Sequence, residues 1–179
     1  MKTIDTEKGR NDLAKLFKGT GAEVGVERAV FSKYICEKNP ETTLIGIDPL
    51  LAYKGYREHV SQEKLDGFFD EVLERMKDKK FMFIRKTSLE ATEDIGDESL
   101  DFVYIDANHS HEHSFADISA WHKKVRPGGI VSGHDYVRKK GLDHMFGVKD
   151  ALRDFCDKNN ITEVTIWRGD RSPSWSYIK

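Results

Sequence analysis

Two short apolar runs separated by one helix-length segment constrain the fold of this 179-residue chain more than any other feature. The first, over 100–105, reads Leu-Asp-Phe-Val-Tyr-Ile and delivers Asp106, Asn108 and His109. The second, over 130–132, follows an expected turn at Arg126-Pro-Gly-Gly129 and delivers His134, Asp135 and Tyr136. Parallel strands need a crossover of about a dozen residues or more, usually a helix, whereas antiparallel strands can be joined by a tight hairpin. The spacing therefore predicts two parallel strands whose ends, each with a carboxylate and an imidazole, meet at one carboxyl edge. Open α/β sheets bind their ligands there.

The same alternation runs through most of the chain. Strands are expected over 22–26, 43–47, 81–84, 100–105, 130–132, 163–167 and 175–178. Helices are expected over 12–18, 28–38, 61–77, 89–95 and 113–124, with another beginning after Gly147. In the long helix, Leu65, Phe68, Phe69, Val72, Leu73 and Met76 recur at three and four residues, and Ser61 stands where a cap belongs. Only Arg168-Gly-Asp-Arg-Ser-Pro-Ser174 joins the last two strands, too short for a crossover helix, so they should pair antiparallel. The prediction is an α/β protein, doubly wound, with a seven-stranded sheet that is mostly parallel and has an antiparallel C-terminal strand. No repeat or linker divides it, and one domain over 1–179 is expected.

Composition narrows the partners. Lys plus Arg number 29 and Asp plus Glu 31, a net charge of −2, and the charges are interspersed. That balance argues against nucleic acid or an anionic membrane as the main partner; Arg138-Lys-Lys140 is a short basic run of the kind found on solvated loops. The first residues have no apolar signal core, and no apolar run approaches the ~18 residues of a membrane helix. A soluble, cytoplasmic protein is expected. Cys36 and Cys156 fall in expected helices without a C-x-x-C partner and read as core residues in a reducing compartment.

Two features point to the ligand. Glu23-Val-Gly-Val-Glu-Arg-Ala29 lies between the first strand and the helix after it, and Gly25 permits a tight turn there. Glu27 and Ala29 stand where a glycine-rich loop would have its later glycines, and an acidic Glu27 disfavours a pyrophosphate. Asp48, 23 residues after Gly25, ends the next strand, where an acid can accept hydrogen bonds from ribose hydroxyls. Asp48-Pro49 is also a common turn opening. Together the pair implies an adenosine-type ligand.

With these residues in order the chain resembles class I S-adenosylmethionine-dependent methyltransferases, in particular small O-methyltransferases of the macrocin and catechol types. The matching stretches are Ala22-Glu-Val-Gly-Val-Glu-Arg-Ala29, Leu44-Ile-Gly-Ile-Asp-Pro49, Asp101-Phe-Val-Tyr-Ile-Asp-Ala-Asn-His109 and Arg126-Pro-Gly-Gly-Ile-Val-Ser-Gly-His-Asp-Tyr136. The resemblance implies a Rossmann-like sheet. It also implies that Glu23 and Gly25 lie along the methionine part of S-adenosylmethionine, Asp48 at the ribose and Thr87 and Ser88 beside the adenine. Asp106, Ala107 and His109 would border the sulfonium and the acceptor. A sulfonium is cationic, so nearby carboxylates attract it.

The implied chemistry is methyl transfer to a hydroxyl of a small molecule or sugar, with Asp106, His109, His134 and Asp135 as catalytic candidates. In metal-dependent relatives a divalent cation lowers the acceptor's pKa. The corresponding ligands here would be Asp106, His134 and Asp135, for magnesium, manganese or a similar ion. An imidazole at position 134 moves preference away from magnesium or replaces the metal with a general base. Two other readings stay open: a metal-dependent hydrolase built on His109, His111 and His113, and a non-catalytic nucleoside-binding module. Tyr53, Tyr56 and Arg57 are expected to wall the acceptor site opposite 136–143. A homo-oligomer is compatible with the sequence.

Overall fold

A computed structural model describes residues 1–52, 60–137 and 147–179. The described residues form an eight-stranded sheet of β1 (Lys2–Thr6), β2 (Thr20–Val24), β3 (Thr43–Ile47), β4 (Phe81–Ile84), β5 (Leu100–Ile105), β6 (Val125–Gly133), β7 (Glu163–Trp167) and β8 (Ser174–Ile178). Their spatial order is β1-β7-β8-β6-β5-β2-β3-β4. Strand β8 runs antiparallel to both neighbours, β6 and β7, and every other pairing is parallel. The helices are α1 (Arg10–Ala14), α2 (Val30–Lys38), α3 (Gln62–Met76), α4 (Ser88–Ala91), α5 (His111–Lys124) and α6 (Val148–Lys158).

The sheet has eight strands, not the expected seven, and the additional one is β1. Its sequence is Lys-Thr-Ile-Asp-Thr, it is largely exposed, and its lone apolar residue, Ile4, is 39% accessible. Backbone pairing with β7 creates this strand, so no apolar alternation marks it. A charged edge of this kind also discourages pairing with another chain. The expected turn at Arg126–Gly129 is instead the first half of β6, which continues from Val125 and absorbs the irregularity as a register shift opposite Leu100 and Phe102.

Burial follows from strand periodicity. Phe102 and Tyr104 of β5 face a cluster with Leu13, Phe17, Phe31, Ile35, Val72 and Met76 of the α1–α3 side. Val103 and Ile105 face the opposite cluster, with Ile118, Trp121, Leu152 and Phe155 of α5 and α6. Successive strand side chains point to opposite faces, so one strand feeds both layers. In α3 the stripe narrows to Leu65, Val72 and Met76, while Leu73 is half exposed; the Ser61 hydroxyl caps the helix by accepting from the Lys64 N–H. Cys36 and Cys156 are buried, as are Trp121, Trp167 and Trp175. No helix among the described residues is long and apolar enough to cross a membrane.

From adjacent β2 and β5 the chain winds outward in opposite directions, through α2 to β3 and through α5 to β6. Their carboxyl ends therefore form the switch point where such sheets open a crevice. Gly25 lies just beyond β2 with φ +94°. A Cβ there would sit 2.0 Å from the Asp106 carbonyl oxygen and 3.0 Å from the Ala107 Cα. Glycine is required both by the backbone angle and by this approach of two strand ends.

Candidate functional site

Two cavities flank the Gly25–Ala107 contact and share those residues as lining. The first, about 250 Å³, is bordered by Asp48, Thr87, Ser88, Asn108 and Asp117. The second, about 520 Å³, is bordered by Glu23, Phe31, Phe68, Asp106 and His109, with Arg10 on the same wall. The ten residues singled out from the sequence thus divide: Gly25, Asp48, Thr87, Ser88 and Ala107 border the first cavity, and Glu23, Gly25, Asp106, Ala107 and His109 the second. His134 and Asp135 stand behind Asp106 and His109.

On the first side, Asp48 is only 2% exposed, and its two oxygens accept the Glu27 N–H at 2.9 Å and the Leu50 N–H at 2.8 Å. It therefore opens the turn as an Asp-Pro pair does. It also fixes the β2–α2 loop. In that loop Glu27 (φ +51°) and Ala29 (φ +54°) keep the left-handed backbone of a glycine-rich turn although neither is glycine. Thr87 caps α4 through a reciprocal pair with Glu90. Ser88 accepts from the Trp121 indole N–H at 2.9 Å and donates to Asp117 Oδ1 at 2.5 Å. Burial pushes the Asp117 carboxyl up to about 6, against the lowering effect of the Ser88 bond. The sequence does not mark Asp117, because an acid inside an amphipathic helix looks like any solvated charge.

On the second side, Glu23 is buried and its carboxyl is pushed up to about 8, first by desolvation and then by the nearby charge of Asp106, while Ser32, which donates to it, and Arg10 pull the other way. The His109 Nε2 lies 3.1 Å from Asp106 Oδ1 and 3.2 Å from Asp135 Oδ2, so one imidazole bridges both carboxylates. The His134 Nδ1 lies 3.4 Å from Asp135 Oδ2 and 3.8 Å from Asp106 Oδ1. Burial works against ionisation of Asp135, but hydrogen bonds from His134 and Ser172, with the charges of both histidines, outweigh it and hold the carboxyl well below its ordinary value. Asp135 has φ +53°, a left-handed angle uncommon for a residue with a side chain.

The loop between β7 and β8 supports this arrangement, which its sequence did not indicate. Ser172 donates to Asp135, the Pro173 carbonyl accepts the Tyr136 N–H at 2.9 Å, and Asp170 accepts the Arg10 N–H at 2.6 Å. By contrast, the three alternating histidines diverge. His111 pairs with Asp154 at 3.0 Å, His113 Nδ1 meets the Ser110 hydroxyl at 2.7 Å, and both are exposed. Among the described residues the converging donors are those of Asp106, His134 and Asp135, all within 4.8 Å of one another. Mixed imidazole and carboxylate donors at that spacing fit a divalent cation. The geometry does not favour the histidine-cluster hydrolase. Tyr53, Tyr56, Arg57 and the run 138–140, with most of 136–143, lie outside the described residues.

Fold and crevice together define a Rossmann-like α/β protein with a two-part ligand site at its switch point. Residues 20–136, more than half of the chain, match the family described as methyltransferase domain, and the chain belongs to that family. Similar folds occur in the O-methyltransferase TomG of Streptomyces achromogenes, involved in tomaymycin synthesis and solved with SAM (TM-score 0.65, 16% identity, 94% of this chain and 77% of that one). An O-methyltransferase from Bacillus cereus solved with SAH is comparable (TM-score 0.62, 16% identity, 95% and 80%). A stretch of 65 residues, 36% of this chain, is 37% identical to the uncharacterized protein y4gI of Sinorhizobium fredii and spans 7% of that protein's length.

Proposed function

We propose that the chain is an S-adenosylmethionine-dependent O-methyltransferase acting on a small molecule or sugar hydroxyl. The observation that carries this reading is the pair of cavities meeting at Gly25 and Ala107, one shaped by Asp48, Thr87 and Ser88, the other by Glu23, Asp106 and His109. An adenosine in the first cavity, its ribose toward Asp48, directs the sulfonium across the shared wall toward Asp106. The relatives solved with SAM and SAH support this donor.

In the reaction the acceptor oxygen attacks the methyl carbon opposite the sulfur, the carbon–sulfur bond breaks, and S-adenosylhomocysteine leaves as a neutral thioether. Holding oxygen and methyl in line supplies much of the acceleration. His109 takes the acceptor's proton, and the imidazolium so formed is stabilised by Asp106 and Asp135 at 3.1 and 3.2 Å. His134 and Ser172 keep Asp135 ionised for that purpose. Asp106, His134 and Asp135 would also hold a divalent cation such as magnesium or manganese. When bound, such a cation lowers the acceptor hydroxyl's pKa.

Calorimetric titration with S-adenosylmethionine and S-adenosylhomocysteine, before and after chelation, tests the reading together with turnover over a panel of hydroxyl acceptors. Binding of both and appearance of a methylated product are expected. Absence of binding by either compound would remove the donor. Binding without product from any acceptor would favour a nucleoside-binding module.

A further inference from the structure

Among the described residues one cation on the second cavity is held in no ion pair. Arg10, the first residue of α1, is half-buried, and its guanidinium carbon lies 4.9 Å from the centroid of the Phe31 ring. Its backbone N–H is fixed by Asp170 at 2.6 Å, so the start of the short helix is anchored from the β7–β8 loop. Among the described residues its side chain makes no ion pair. Arg28, on the same cavity, is instead bound to Glu71 at 2.7 Å. Of the three acids that border this cavity, Glu23 is bonded to Ser32 and Asp106 to His109 and His134, while Glu27 is exposed and forms no ion pair with Arg10. Glu23, with its carboxyl pushed up to about 8, also holds its proton at neutral pH and gives the guanidinium little charge to neutralise.

A guanidinium stacked on an aromatic ring presents a planar fork that matches a carboxylate, and a half-buried cation gains most from a ligand that supplies the missing charge. We propose that Arg10 is the carboxylate-binding residue of the second cavity. This rests on the S-adenosylmethionine reading, because the cavity then receives two organic molecules. The carboxylate belongs either to the amino-acid end of the donor or to an acceptor seated against Phe31 and Phe68. In both cases Arg10 fixes an end of a reactant and sets its angle to Asp106 and His109.

The test compares wild type with Arg10→Met, which keeps the stem over Phe31, and with Arg10→Lys, which keeps the charge without the fork. Each is titrated with S-adenosylhomocysteine and with 5′-methylthioadenosine, the same thioether lacking the amino acid. Each is then saturated with S-adenosylhomocysteine and titrated with benzoate and benzamide. If the donor supplies the carboxylate, Arg10→Met weakens S-adenosylhomocysteine by about tenfold or more, leaves 5′-methylthioadenosine unchanged, and Arg10→Lys recovers part of the loss. If the acceptor supplies it, S-adenosylhomocysteine is unaffected, and the wild-type complex binds benzoate but not benzamide, a preference absent in Arg10→Met. Equal weakening of both thioethers, or no change in any titration, would overturn the proposal. Failure of wild type to bind either thioether would overturn the donor reading and this inference with it.

Discussion

Glu23 is a buried carboxyl whose ionisation the fold shifts into the range around neutral pH. Its carboxyl is raised to about 8, so between pH 4.5 and 8 the folded protein holds a proton that the unfolded chain releases. Stability must then fall as pH rises through that window, by at most about 1.4 kcal/mol per pH unit. Asp117, raised to about 6, contributes with the same sign over a lower range, and histidines titrate near neutrality, so the Glu23 part is the difference between wild type and Glu23→Gln over pH 6 to 8. Glu23→Gln should reduce the fall of the urea midpoint over those two units, and an unchanged slope would show that the carboxyl is not a source. Glu27 is exposed with φ +51°, so Glu27→Gly should raise stability by about 0.5–1 kcal/mol by thermal denaturation. Asp135→Asn tests the reacting side, because asparagine tolerates the left-handed angle and removes only the charge. Turnover should fall on the order of 100-fold while S-adenosylhomocysteine affinity is kept. Gly25, Asp48, Asp106, His109, His134 and Asp135 were legible because each ends or follows an apolar strand, where the pattern fixes position. Arg10 and Asp117 were not, since a charged residue in a helix carries no local mark of the cavity it borders.

Elements defined by their own residues were legible, and elements defined by contact were not. Strands β3, β4, β5 and β7 match the sequence pattern at both ends because apolar runs bounded by polar residues mark them. Strand β1 is an exposed polar edge held by β7, and the first half of β6 is drawn into the sheet by β5 despite Pro127, Gly128 and Gly129. The loop from Arg168 to Pro173 shows the same limit: seven residues from Arg168 to Ser174 predicted a hairpin, but not that Ser172 and Asp170 reach Asp135 and Arg10. Ser172→Ala should cost about 1 kcal/mol at pH 5 to 8 by losing a charge-assisted bond to a half-buried acid. Asp135 is depressed in the folded state, so this contribution is fully present above the ordinary carboxyl range and is lost only as pH falls through the depressed folded value well below that range. The difference between wild type and variant should therefore persist at pH 3, and its disappearance already by pH 4 would show that Ser172 does not act through a depressed carboxyl.

At the scale of the molecule, the order β1-β7-β8-β6-β5-β2-β3-β4 puts β2 beside β5 and so joins Gly25, from the early part of the chain, to Asp106 and Ala107. That contact divides the crevice into two cavities, and the proposed function requires one ligand to bridge them, with adenosine in the first and its sulfur toward the second. The sequence indicated both groups of residues, but the distance between them depends on strand order, which local pattern does not encode. The structure of the protein bound to S-adenosylhomocysteine measures this bridge directly. The expected result is adenosine between Asp48 and Thr87–Ser88, with the sulfur across the Gly25–Ala107 contact and directed toward Asp106 and His109. A ligand confined to one cavity, or with its sulfur turned away from Asp106, would contradict the account.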